Sequence, residues 1–145
     1  MDDDISFRAL RKTDLELLLS TPAGLFDHPV DPAQAAAFLA DPGHLLILAF
    51  AGEDAVGFVS GTVLRHPDKP PSLFVNEVGV REAWQRRGIA RRLMQQMMAM
   101  GRANGCEGLW LGTEPDNIAA LALYRSLRGD EVPFIGFGWD GAFDA

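Results

Sequence analysis

Gln85-Arg86-Arg87-Gly88-Ile89-Ala90 is the stretch on which the fold turns. Residues 73–80, LFVNEVGV, precede it as a strand-like run, and residues 88–103 follow with apolar side chains at helical spacing. A strand that turns through glycine and small residues into a helix leaves the first helical N–H groups without internal partners. Those donors, with the positive end of the helix dipole, make an anion site. Arg86, Arg87, Arg91 and Arg92 crowd the same turn. Residues 81–92 hold five Arg and one Glu, in a chain with 13 Lys+Arg against 20 Asp+Glu and a net charge of −7. Positive charge at a helix start opposes the dipole, and a phosphate-bearing ligand would offset that repulsion. Neither GxxxxGK[ST] nor GxGxxG with a downstream acid is present. Without a ligand, the same arginines would be an ordinary solvated face.

A chain of 145 residues, 48% hydrophobic, is expected to be a single domain over 1–145 with a real core. The acidic balance argues against general nucleic-acid or membrane-surface binding and suits a cationic substrate. One cysteine, Cys106, excludes an internal disulfide and reads as a buried strand residue. The start, MDDDISF, has no apolar leader core, and no run reaches transmembrane length. A cytoplasmic location is the expectation.

Residues 5–10 alternate as a strand. Thr13, with Glu16 three residues on, reads as the cap of a short helix. Asp31-Pro32 opens a second helix through Leu39. Residues 44–51 and 55–64 read as strands joined at Gly52-Glu53-Asp54, and 66–72 as a Pro-rich loop. Gly79, near the end of the 73–80 strand, suggests a bulge or a close backbone approach. In the long helix Ile89, Leu93, Met97 and Met100 share one face, with Met94 and Met98 beside it, and Gly101 and Gly105 weaken and stop it. Residues 106–113 read as a strand, 117–127 as a helix and 134–139 as a final, Gly-interrupted strand. The order β-α-α-β-β-β-α-β-α-β is α+β with a mixed sheet.

Two signatures now stand in order. Gln85-Arg86-Arg87-Gly88-Ile89-Ala90 fits [Q/R]-x-x-G-x-[G/A]. Asn117-Ile118-Ala119-Ala120-Leu121-Ala122-Leu123-Tyr124 fits N-x-x-A-x-x-L-Y. Together they resemble the GCN5-related N-acetyltransferase superfamily, closely over 73–127 and by element order elsewhere. The resemblance implies a mixed, mostly antiparallel central sheet flanked by helices, with a cleft between two splayed central strands ending at Val80 and Thr113. It implies acetyl-CoA as co-substrate. Gln85, Arg86, Arg87, Gly88, Ile89, Ala90 and Arg91 would surround the pyrophosphate, and the edge at Val78, Gly79 and Val80 would pair with the pantetheine arm. A bulge near Gly79 would open the cleft, and a backbone N–H there would polarise the thioester carbonyl. Asn117 and Ala120 would contact the cofactor arm, although Asn117 is equally an ordinary N-cap. Tyr124 falls where the superfamily places a general acid, and a phenol can donate at neutral pH. A tyrosine packed at a helix–sheet seam is the plain alternative.

Glu77 is the base candidate, as a carboxylate in an otherwise apolar strand, phased with Val75 and Gly79. It could take the proton of an alkylammonium through a water. A structural carboxylate is the equal alternative. His28, His44 and His66 lack metal-ligand spacing and read as structural or solvated; no metal is expected. Within the superfamily, Glu77-Val78-Gly79-Val80, Ala122-Leu123-Tyr124 and Asp130-Glu131-Val132 resemble the small aminoglycoside 3-N-acetyltransferases. The tail, Phe134-Ile135-Gly136-Phe137-Gly138-Trp139, and Arg128-Gly129-Asp130 depart from them.

The function expected is acetyl transfer to a primary amine of a small, cationic acceptor by direct attack, in a homodimer. Glu114, Asp116, Glu131 and Asp140 are the candidate acceptor contacts. The alternatives are a protein N-terminal or lysine acetyltransferase, a silent acyl-CoA sensor, and a nucleotide-binding module.

Overall fold

The structure is a computed structural model describing residues 4–144; residues 1–3 and Ala145 lie outside the described residues. The chain forms two compact units that divide after Thr113.

The first unit is a five-stranded sheet with helices. β1 (Ile5–Ala9), β2 (His44–Ala51), β3 (Asp54–Leu64), β4 (Ser72–Val80) and β5 (Gly108–Trp110) lie side by side in that order. The first four are antiparallel, and β5 runs parallel to β4. Between β1 and β2 stand a 3-10 turn (Lys12–Asp14), α1 (Leu15–Leu19) and α2 (Pro32–Ala40). α3 (Ile89–Ala103) connects β4 to β5. The expected mixed, mostly antiparallel α+β sheet is therefore present.

Local chemistry explains the joints. Asp31 Oδ1 accepts from the N–H groups of Ala33 and Gln34 at 2.9 and 3.1 Å, and Pro32 sits at the first helical position. Thr13 is not the cap of α1, as expected; Asp14 takes that position instead. Its buried carboxylate accepts from the Arg11 N–H at 2.8 Å and from Arg8 Nη2 at 2.7 Å. Those bonds, the Arg11 amide first, hold its pKa below the ordinary carboxylate value.

The two faces of the sheet differ. On one, Ile89, Leu93, Met94 and Met97 of α3 are buried over the central strands. Burying a side chain of this size stabilises by roughly 1.5–3 kcal/mol. The expected stripe holds for these four, while Met98 and Met100 are only half-buried. Gly101 does not weaken the helix end: it lies inside α3, where a Cβ would come within 2.8 Å of Leu73 Cδ2, so its bareness lets helix and strand close. The stop is Gly105, at φ +81, where Cys106 N–H bonds Gly101 C=O and Gly105 N–H bonds Arg102 C=O. Cys106 thus belongs to the helix end, half-buried, and not to a strand. On the other face Leu18, Leu25, Ala35 and Leu39 pack with Leu46, Leu48 and Phe58.

The second unit, from Glu114 on, holds α4 (Ile118–Ser126). Asn117 caps it by accepting from Ala120 N–H at 3.1 Å. α4 ends in the same bonding pattern as α3, Gly129 N–H to Tyr124 C=O and Arg128 N–H to Arg125 C=O, but Arg128 holds the left-handed position at φ 64. The final strand expected over 134–139 does not form. Gly136 and Gly138 remove every second side chain that would pack on a sheet, and Phe134, Ile135, Phe137 and Trp139 are all at least 67% exposed. Among the described residues no helix is long and apolar enough to cross a membrane.

Candidate active site

β4 carries the site, and a bulge divides it. Ser60 pairs with Glu77 while the next residue of β3, Gly61, pairs with Val75, so Asn76 is the extra residue. Thr62 Oγ1 donates to Asn76 Oδ1 at 3.1 Å and holds it. The bulge expected near Gly79 therefore lies three residues earlier. Gly79 pairs regularly with Phe58, and a Cβ on it would come within 2.7 Å of Phe58 Cε1. It is glycine because a core ring lies against it.

The extra residue reverses the alternation of the strand. Val75 is opposite Gly61, where a Cβ would meet Met97 of α3. Glu77 is opposite Ser60, and both line a cavity on the other side. Glu77 is thus in phase with Gly79 but out of phase with Val75, contrary to the simple period of two.

The same bulge opens a cleft. β5 pairs only Gly108, Leu109 and Trp110 with Ser72, Leu73 and Phe74. The strand expected over 106–113 is limited to these three residues, and its pairing stops before Asn76. Beyond that point Val78, Gly79 and Val80 form a half-buried edge. Phe74 and Trp110, with ring centres 4.4 Å apart, close the paired end.

The basic turn follows. Gln85 Nε2 donates to Val80 C=O at 2.9 Å, tying the turn to the strand end. Arg86 and Gly88 are both left-handed, at φ 64 and 77. The first helical bond of α3 runs from Arg92 N–H to Gly88 C=O at 3.1 Å, and no side chain caps the helix. The amides of Ile89, Ala90 and Arg91 precede that bond and face the helix end. A Cβ on Gly88 would meet nothing within 4 Å, so the cradle has open space beside it. These features fit a phosphate group. The arginines are not equivalent. Arg87 donates to Ala83 C=O at 3.3 Å with its guanidinium 4.7 Å from the Trp84 ring centre, and Arg92 stacks 4.6 Å over Phe7.

The cavity, about 240 Å³, lies on the α1–α2 side of the sheet. Glu77 and Ser60 line it from the sheet, and His28, Asp31 and Gln34 from the loop and α2. Burial pushes the Glu77 carboxyl above the ordinary 4.5 of a glutamate. The neighbouring Asp27 carboxylate pushes the same way, and His28 opposes them. His28 is therefore a site-lining residue, not merely a solvated one. Asp27, His28 and Ser60 were missed in the sequence. The polar Asp27-His28 step inside the apolar run Leu25-Phe26…Val30 was the available signal.

In the second unit Tyr124 is half-buried, and burial raises its phenol above 10.0. It is protonated at neutral pH. Of the four acids expected to hold the acceptor, Glu131 is taken up by Arg125 through two bonds of 2.8 and 2.9 Å. Glu114 C=O accepts from Asn117 N–H before α4, and Asp116 and Asp140 are exposed. Among the described residues no group of three or more His, Cys, Asp or Glu could hold a metal.

An open strand edge, an uncapped helix start and a carboxylate-bearing cavity on one strand form the framework of a CoA-dependent acyltransferase. The chain belongs to the Acetyltransferase (GNAT) family, whose sequence profile matches residues 12–129. It is an N-acetyltransferase that uses acetyl-CoA. It is 34% identical over 133 residues to the N-alpha-acetyltransferase RimI of Mycobacterium tuberculosis, covering 90% of this chain and 81% of that protein. It is 26% identical over 146 residues to an aminoglycoside N(6′)-acetyltransferase type 1 of Salmonella enteritidis, covering 92% and 97%. The solved structure of an aminoglycoside acetyltransferase from an uncultured soil metagenomic sample superposes with a TM-score of 0.83 at 20% identity, covering 95% of this chain and 97% of that one. The resemblance to small aminoglycoside acetyltransferases holds, with a relative of the N(6′) type where the 3-N type was expected.

Proposed function

We propose that the protein transfers an acetyl group from acetyl-CoA to a primary amine of a small acceptor by direct attack, working as a single acetyltransferase domain. One observation carries this: the bulge at Asn76 leaves an open edge at Val78–Val80 and, on the same strand, turns Glu77 into a separate cavity. Thioester and amine would thus meet across one strand. The family profile spans both compact units, which supports their acting together.

The roles follow from chemistry. Gln85 through Arg91 hold the pyrophosphate with backbone amides and positive charge. Val78, Gly79 and Val80 pair with the pantetheine arm, and Asn117 and Ala120 contact it. Glu77 takes a proton from the incoming ammonium. The free amine then attacks the thioester carbon, the N–C bond forms, the C–S bond breaks, and Tyr124 protonates the departing thiolate, while the second proton lost by the nitrogen returns the Tyr124 phenolate to phenol. No covalent enzyme intermediate is required. Glu114, Asp116 and Asp140 remain candidate contacts for cationic parts of an acceptor.

The test follows CoA thiol release across a panel of amines, with Tyr124→Phe as the variant. The expected fall in kcat is roughly 10- to 1000-fold, with a smaller change in acetyl-CoA affinity. CoA binding without thiol release for any amine would identify a sensor instead. Gly88 is tested by a pair. Gly88→Asn tolerates the left-handed backbone, whereas Gly88→Val does not. Weak CoA binding by folded Gly88→Asn assigns the pyrophosphate to this turn; unchanged binding removes it. The homodimer belongs to the same proposal, supported by the exposed apolar side chains of the second unit, and light scattering tests it.

A further inference from the structure

We infer that the acceptor amine is carried on a compact apolar body, with its ammonium end at Glu77 and Ser60 and its body between Phe26 and Phe38. This rests on the acetyltransferase function proposed above and narrows its substrate.

The cavity is apolar over most of its wall, through Leu18, Phe26, Val30, Ala35, Phe38 and Leu46. Two of these walls are held in place from behind. The Phe26 ring packs 4.3 Å from the Phe58 ring, and Phe38 stacks 4.7 Å from His44 at 15° between planes. His44 is itself fixed, with Nδ1 3.3 Å from Phe38 C=O and Nε2 3.9 Å from Asp41. A slot with braced aromatic walls accepts an apolar group without reorganising.

The polar lining is Glu77 and Ser60 from the sheet and His28, Asp31 and Gln34 from the loop and α2, with the Asp27 carboxylate beside Glu77. Ser60 is 7% exposed, and its hydroxyl makes no hydrogen bond to another described residue. No side-chain atom among the described residues is sealed off without a partner, so that hydroxyl reaches the cavity. It stands in register with Glu77, which lines the same cavity. Together they offer one ammonium an acceptor oxygen from each side. Asp31 Oδ1 already receives the two amides that cap α2, and the Asp27 carboxylate adds its charge at the Glu77 end.

A polycation fits this cavity poorly. Its second and third ammonium groups would lie against phenylalanine and leucine, and burying an unpaired charge is costly. The net charge of −7 draws cations toward the protein, but it does not line the slot.

The experiment compares kcat/KM, by CoA thiol release, for 2-phenylethylamine, spermidine, kanamycin and a pentapeptide beginning with leucine. The first and last carry the proposed chemistry from two sources, a free amine and a chain terminus, and their ratio tells which source the protein uses. At least one should exceed both polycations by roughly tenfold or more. Val30→Glu adds a carboxylate to the apolar wall and should narrow or reverse that preference. Gln34→Glu, at an exposed helical position, does the same with less risk to folding. Faster turnover of spermidine or kanamycin by the wild type overturns the inference, as does an unchanged ranking in both folded variants. In either case the transferase itself would stand. No thiol release from any amine, with CoA still bound, overturns the transferase assignment and the inference with it.

Discussion

The two halves of β4 share one strand and have opposite fates. Ser72 to Phe74 is held on both edges and Val75 by β3, with Leu73 and Val75 buried at 1% and 3% exposure. From Asn76 to Val80 the residues are exposed or half-buried, and only β3 pairs with them. Composition separates the halves only in part, since Val78 and Val80 follow Asn76 and Glu77 in the second. Position relative to one extra residue does. Stability belongs to the first half and chemistry to the second, and substitutions should sort accordingly.

The largest expected effect is in the second half. Glu77→Gln keeps the side-chain shape and removes the base, so kcat/KM at neutral pH should fall roughly 10²- to 10⁴-fold while the melting temperature holds. Raising the pH should partly restore the rate as free amine appears. A pH profile superimposable on the wild type would remove Glu77 from the mechanism and break the division. Next is the first half. Leu73→Ala should cost about 2–5 kcal/mol of stability, measured by denaturant unfolding, with kcat per folded molecule retained. A large loss of kcat in the folded variant would mean that the halves are coupled.

Gly79→Ala tests the boundary. Its Cβ would press on Phe58, whose ring braces Phe26 in the cavity wall. A stability loss of about 1–3 kcal/mol is expected, together with a raised KM for the amine. An unchanged KM would separate the strand from the cavity. The smallest effect is a shift in pH. Burial first, then Asp27, raises the Glu77 pKa above 4.5, and the reaction needs the ionised form. The acid limb of kcat/KM should therefore lie above 4.5 and move down in Asp27→Asn. It should not return fully, because burial remains. The linkage runs the opposite way for stability. A raised carboxyl contributes stability below its unfolded pKa, and that contribution is lost as pH rises through the folded value. Chemical unfolding across that window should show the loss in the wild type and not in Glu77→Gln.

Much of this was legible in the sequence, because it depends on neighbours along the chain. Asp31-Pro32, Gly88 and Asn117 announce their helix ends, and the turn at Gly52-Glu53 announces its hairpin. What failed depended on distant partners. The bulge was sought at the glycine, the residue that relaxes a backbone, but it lies at Asn76, where the pairing with β3 slips. The final, Gly-interrupted strand expected over 134–139 needs an edge to pair with, which a run of residues does not by itself provide. Asp27 and His28 are ordinary loop residues until α1 and α2 fold the loop back toward Glu77. Among the acids, charge alone does not show that Arg125 holds Glu131.

Asn76 also has a meaning in terms of descent. Because side chains alternate with a period of two, a bulge that leaves one residue unpaired breaks the parity between the positions before and after it. Were Asn76 paired in regular alternation instead of bulged, Glu77 would share the face of Val75, toward Met97 of α3. With the bulge, an apolar structural strand becomes half framework and half reaction site. The unpaired residue marks where the two parts of the strand meet, and the buried half need not change for the other half to vary.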